Sequence, residues 1–193
     1  MHKDMHLTST FSSIFAREHS LLNQEEINSL IKECYSIKQN NKSGGNKWHC
    51  DVYNSNQVVD LIKEKSFDKI INLITDQVNL LSLKLGSKTK HKCNSCWFNI
   101  YEKGDYQEYH YHPSSIFSAI YVLKTPVPEP KIWFKHPVND MYPLDISEVN
   151  DLNAREYWFQ LALNNVLIFR SYEQHMVDEL KSEENRITLA LNF

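Results

Sequence analysis

Residues 97–123 read WFNIYEKGDYQEYHYHPSSIFSAIYVL. Two runs of strand length, rich in aromatic and β-branched side chains, flank a polar middle that carries Gly104 and the pair His110-Tyr111-His112. In an extended chain residues i and i+2 project to the same side, so His110 and His112 can reach one ion together. A third ligand has to come from elsewhere in the chain.

Outward from this stretch, short apolar runs of the same texture recur at 96–101, 116–123, 131–134, 166–169 and 187–193. Polar or Pro-bearing loops separate them. No long helical period intervenes, as a parallel βαβ sheet would require. The N-terminal side reads differently. Asn23 can cap a helix with Glu26 at the capping-box position, and Ile27, Leu30, Ile31, Cys34 and Tyr35 then share one face. A second helix is predicted from about Ser66, where Phe67, Ile70, Ile71, Ile74, Val78, Leu81 and Leu85 recur at three- and four-residue intervals before Gly86 stops it. Its apolar stripe most simply packs on the sheet, and an uncovered portion of it would serve a homodimer. The segment QNNKSGG at 39–45 is an exposed loop, and Phe11, Ile14 and Phe15 form a short extended piece. The expectation is mainly β with flanking N-terminal helices: one domain over 1–193, a helical flank of about 1–90 and a rolled antiparallel sheet of about 91–193.

Composition narrows the function classes. A chain of 193 residues, 41% apolar and 23% charged, can bury a core without structural metals or disulfides. A formal net charge of -3 gives no general attraction to phosphate backbones or anionic lipid, so nucleic acid is disfavoured. No apolar run reaches the roughly 20 residues of a spanning helix, and residues 1–20 lack a signal-peptide core, so no membrane contact and a cytoplasmic location are expected. The four cysteines are scattered, which favours reduced thiols.

His175 follows the run at 166–169, and Arg186 heads the run at 187–193. A metal held on one face, with open positions opposite, can bind a 2-oxo acid and O₂, and a guanidinium fork suits the far carboxylate of that acid. Here the residues resemble the 2-oxoglutarate- and Fe(II)-dependent oxygenases, in particular a branch with a short His-x-His-Pro signature. The matching stretches are WFNIYEKGDYQEYHYHPSS, FSAIYVL, IWFKHP, VLIFRSYEQHMV and ENRITLALNF, with GGNKW at 44–48 similar to the segment that leads into the family's core. The resemblance implies a double-stranded β-helix (jelly-roll, cupin-like), with His110 and His175 as iron ligands and Arg186 holding 2-oxoglutarate. Asn99, Tyr101, Tyr121 and Thr188 would line the same barrel mouth. It implies Fe(II) and 2-oxoglutarate as cofactor and co-substrate, O₂ and a further substrate as partners, and hydroxylation as the outcome.

The broader superfamily carries Asp or Glu where this chain has His112. His112 is taken as the third ligand, with Asp105 and Glu108 as the alternatives. Taken singly, each feature has a plainer reading. A histidine pair on a loop is more often solvated than metallated, His175 lies in a polar stretch, and Arg186 after Glu183-Glu184 could be a surface ion pair. Cys93-x-x-Cys96 near His91 lacks a second pair for zinc. Trp97 reads as core, and Trp133 as core that could edge the pocket. A cupin-like metal-binding protein without 2-oxoglutarate chemistry is the alternative function, either another metalloenzyme or a non-catalytic binding module.

Overall fold

Alternation along the strands organises this molecule. The computed structural model describes residues 13–41, 49, 51–56, 58–137, 145–150 and 153–193. Phe11, Cys50 and the GGNKW segment lie outside the described residues. The elements are β1 (Phe15–His19), α1 (Gln24–Asn40), β2 (Tyr53–Asn54), α2 (Asp68–Lys84), β3 (Ser95–Tyr101), β4 (Gln107–His110), β5 (Phe117–Lys124), β6 (Lys131–Lys135), β7 (Glu156–Gln160), β8 (Asn165–Arg170), β9 (His175–Val177) and β10 (Arg186–Asn192).

All strand pairs are antiparallel, in a six-stranded sheet ordered β1-β8-β5-β10-β3-β2 and a four-stranded sheet ordered β4-β9-β6-β7. The five predicted runs became β3, β5, β6, β8 and β10. Four strands lacked a predicted counterpart: β2 and β9 are too short to show a period, and β4 and β7 carry polar residues at element ends. The helical flank is also less separate than expected, because β1 pairs with β8 and β2 with β3.

On the large sheet, Phe98, Ile100, Ala119, Tyr121, Ile168, Ile187, Leu189 and Leu191 face the helices, where they meet Ile27, Leu30, Ile70, Ile74 and Val78. The other face presents Tyr101, Ile120, Val122, Leu167 and Phe169 to Ile132, Phe134 and Val177 of the small sheet. Fully burying each such Leu, Ile or Phe contributes roughly 1.5–3 kcal/mol, so both layers hold the sandwich closed.

The helices begin and end by recognisable chemistry. The Asn23 side chain accepts from the Glu26 N–H at 3.0 Å, and Glu26 accepts from the Asn23 N–H at 2.9 Å, completing the expected capping box. At the end of α2, Gly86 adopts φ 81°, its N–H donates to Leu83 O and the Ser87 N–H donates to Ser82 O, the paired bonds of a Schellman turn. Leu85 was expected on the buried face but is 43% exposed, beside Leu80 and Leu83. No helix among the described residues is long and apolar enough to cross a membrane.

Candidate metal and co-substrate site

His110 closes β4 directly opposite His175 in the β9 register. His112 lies two residues beyond, its N–H donating to Ser171 O at 3.0 Å, which ties this segment to the turn after β8. The ring centroids are 4.2 Å apart for His110–His175 and 5.2 Å for each of the other pairs. One ligand nitrogen from each ring lies within 4.8 Å of the others. The structure therefore brings the three predicted ligands together. It corrects the reading of His175 as a loop residue: it is a strand residue, 2% exposed, walled by Phe134 and Phe169.

The carbonyls around the rings define their tautomers. His110 Nδ1 lies 2.7 Å from Glu108 O, and His175 Nδ1 lies 3.0 Å from Glu173 O. A carbonyl can only accept, so each Nδ1 carries the proton and each Nε2 the lone pair. Burial keeps all three rings neutral. It pulls His110 below its usual range, takes His112 to about 4 with a further push from His110, and holds His175 well below the ordinary value. Neutral imidazoles with converging lone pairs are what a divalent metal requires.

Neither alternative acid joins this cluster. Glu108 Oε1 accepts from the His49 N–H at 2.8 Å and lies 2.7 Å from its Nδ1, while Asp105 accepts from the Glu102 N–H at 2.8 Å. The pairing of β4 is irregular between Gln107 and His110, so the alternation that would turn Glu108 toward the His110 side does not hold.

The histidines open on a cavity of about 390 Å³ between the sheets, which Asn99, Tyr101, Thr188 and Arg186 also line. Arg186 is 1% exposed, and its guanidinium lies 5.6 Å from the centre of the Tyr101 ring. Among the described residues its Nε, Nη1 and Nη2 are buried without a hydrogen-bond partner. The expected surface ion pairs belong to other residues: Glu183 pairs with Lys103 and Glu184 with Lys124. Burial lowers the Arg186 pKa, yet a guanidinium stays protonated at neutral pH. A buried cation without an anion is costly, so this fork fits a carboxylate.

Tyr121 departs from the expectation. It sits on the opposite face of β5 from Ile120 and Val122, among the helix-side core, and its hydroxyl donates to Asn164 Oδ1 at 2.6 Å. Trp97 moves the other way, lining the cavity with its ring 5.6 Å from His112, whereas the Trp133 indole donates to Asp178 at 2.9 Å and is not a cavity residue. Cavity residues that sequence reasoning passed over include Gln107, Ser118, Asn192 and Asn54, whose amide donates to Asn99 Oδ1 at 2.8 Å. Gln107 stands inside the decisive stretch, and Asn192 follows Arg186, Thr188 and Ala190 in strict alternation. Asn54, on a two-residue strand, carries no signal. Cys93 and Cys96 are free thiols, with Cys93 pushed up to about 11 chiefly by burial, and His91 contacts Ser82.

Comparison with known proteins agrees with this geometry. No curated protein sequence matches the chain. Among solved structures, a Pseudomonas putida prolyl-4-hydroxylase has a TM-score of 0.64 at 14% identity, covering 94% of this chain and 92% of its own. The non-haem alpha-ketoglutarate-dependent epimerase SnoN of nogalamycin biosynthesis has a TM-score of 0.66 at 10% identity, covering 93% and 77%. A Trichoplax adhaerens prolyl hydroxylase has a TM-score of 0.61 at 12% identity, covering 92% and 82%. These likenesses establish the double-stranded β-helix fold. The family model described as "Putative 2OG-Fe(II) oxygenase" matches residues 95–192. That span opens with the first residue of β3 and closes with the last of β10, so the match takes in the whole β-helix, and the chain belongs to the family of 2-oxoglutarate- and Fe(II)-dependent oxygenases.

Proposed function

We propose that His110, His112 and His175 hold Fe(II), that Arg186 binds the distal carboxylate of 2-oxoglutarate, and that the enzyme hydroxylates its substrate. When bound, the metal and co-substrate supply the oxidising chemistry, in which O₂ and 2-oxoglutarate yield succinate, CO₂ and a hydroxylated product. The observation that carries this reading is one cavity with three convergent, neutral imidazoles and a buried guanidinium that has no hydrogen-bonded anion among the described residues.

The chain's own groups prepare the site. The Glu108 and Glu173 carbonyls hold the His110 and His175 rings with Nε2 turned to the metal, so binding displaces no ring proton. Phe134 and Phe169 keep water from the back of His175. Asn99 and Thr188 line the same cavity as the three histidines and Arg186. Arg186 and Asn192 lie at opposite ends of β10, about 20 Å apart at ~3.3 Å per residue, which leaves the end near Trp97, Ser118 and Asn192 for substrate.

We further infer one domain over 1–193, since strands on either side of α1 belong to the large sheet, and a cytoplasmic site of action, which the free thiols of Cys34, Cys93 and Cys96 favour. The decisive experiment is an anaerobic titration with Fe(II) and then 2-oxoglutarate. A visible metal-to-ligand charge-transfer band that Arg186→Ala abolishes is expected. Iron binding without the band would point to another metalloenzyme, and absence of iron binding to a binding module; either sinks the proposal.

A further inference from the structure

The last turns of α2 and the loop behind them carry a surface that the metal site does not use. Residues 77–101 hold four lysines, Lys84, Lys88, Lys90 and Lys92, and no Asp or Glu. All four are exposed, and among the described residues none makes an ion pair. Leu80 and Leu83, three apart and so on one row of the helix, are 47% and 63% exposed, and Leu85 follows them at the helix end. The loop is fastened beside that row. Asn79 accepts from the His91 N–H at 2.8 Å and donates to the His91 carbonyl at 3.3 Å, while Ser82 Oγ lies 3.0 Å from His91 Nε2. His91 is thereby buried against the helix, and its neighbours Lys90 and Lys92 stay in solvent.

We propose that this surface docks on an anionic phospholipid bilayer, with Leu80, Leu83 and Leu85 entering the interface and the four lysines set among the headgroups. The apolar and the basic halves have to be satisfied together. Exposed apolar rows are unfavourable in water, and lysines without acids repel one another. The boundary of an anionic leaflet takes apolar side chains below its headgroups and lysines between them. A nucleic acid would meet the lysines and leave the leucines in water. A second copy of the chain would cover the leucines, but a two-fold contact across this face would set lysines against lysines. The net charge of -3 averages over the patch, and the lack of a spanning helix does not bear on it. The expectation of no membrane contact therefore does not extend to peripheral docking.

The test is co-sedimentation of the full chain with vesicles of phosphatidylcholine alone or with about 30% phosphatidylserine, the anionic lipid that lysines attract. Wild type should partition to the anionic vesicles and not to the neutral ones, and high salt should release it. Replacing Lys88, Lys90 and Lys92 together by Gln should weaken that partition on the order of 100-fold, at about fivefold for each lysine. Leu80→Ser with Leu83→Ser should weaken it about tenfold with every lysine in place. Both variants change exposed side chains only, so their melting temperatures should match wild type. Four outcomes would overturn the proposal. Wild type could bind neither kind of vesicle, or both equally. The lysine variant could bind as wild type does. The leucine variant could bind as wild type does, with single-stranded DNA bound as tightly as the vesicles, which would make the patch a polyanion site. Wild type could sediment as a dimer that the leucine variant converts to a monomer, which would assign the face to a second copy.

Discussion

The two ends of the cavity are prepared in opposite ways. At the histidine end, buried groups are neutral and two of the rings are fixed by backbone carbonyls, so the site is built before any metal arrives. At the Arg186 end a full charge is buried with no hydrogen-bonded anion among the described residues, so the site is incomplete and carries a desolvation cost until one binds. One end stores geometry and the other stores electrostatic demand. The two should therefore respond differently to substitution.

The largest contrast is expected between His175→Ala and Arg186→Ala. Removing His175 should weaken iron binding by more than about 100-fold, exceeding the loss typical of outer-shell partners. Arg186→Ala should keep iron and lose 2-oxoglutarate affinity on the order of 100-fold. Metal analysis after dialysis, paired with the anaerobic titration, checks both; similar iron loss in the two variants would erase the distinction.

A second difference lies in the ligand-free protein. Arg186→Met fills similar volume without the charge, and replacing uncompensated buried charge by apolar packing stabilises by about 1–4 kcal/mol. Its melting temperature should rise by several degrees, while 2-oxoglutarate, which should raise that of wild type, should leave the variant unmoved. A lower melting temperature in Arg186→Met would mean that the guanidinium is already satisfied.

Smaller effects are expected for charge and pH. His112→Asp places a carboxylate among the ligands, so iron should remain while 2-oxoglutarate binds a few-fold more weakly because the cavity is less positive. Spectroscopic titration of the variant settles the sign. In the iron-free protein the His112 pKa is held at about 4, chiefly by burial, against the ordinary 6.5. The unfolded chain thus binds more protons between those values, and the His112 contribution to stability is present above about 6.5 and lost as pH falls toward 4. Melting curves across that range should slope less steeply in His112→Ala than in wild type.

Much of the scaffold was legible because its signals are local. The Asn23–Glu26 capping box, the stripe from Ile70 to Val78 and the Gly86 stop each depend on neighbours within a turn or two. The long strands announced themselves by apolar content. Strands β4 and β9, which carry His110 and His175, did not, because residues facing a polar cavity need no apolar alternation and three residues show no period. Tyr121 was misassigned because the register of β5, and with it the face that each residue takes, is set by pairing with β8 and β10.

From its sequence alone this protein declares helices before a rolled antiparallel sheet, a His-x-His pair between strands, and a later histidine and arginine in an order that suits a metal and a 2-oxo acid. Tertiary structure alone decided that His112 rather than Glu108 or Asp105 joins the other two histidines, and that Arg186 is buried with no hydrogen-bonded anion among the described residues. The physical reason is that periodicity and capping are encoded within a few residues, whereas burial, facing and hydrogen-bond partnership arise only when strands distant in sequence are brought into register.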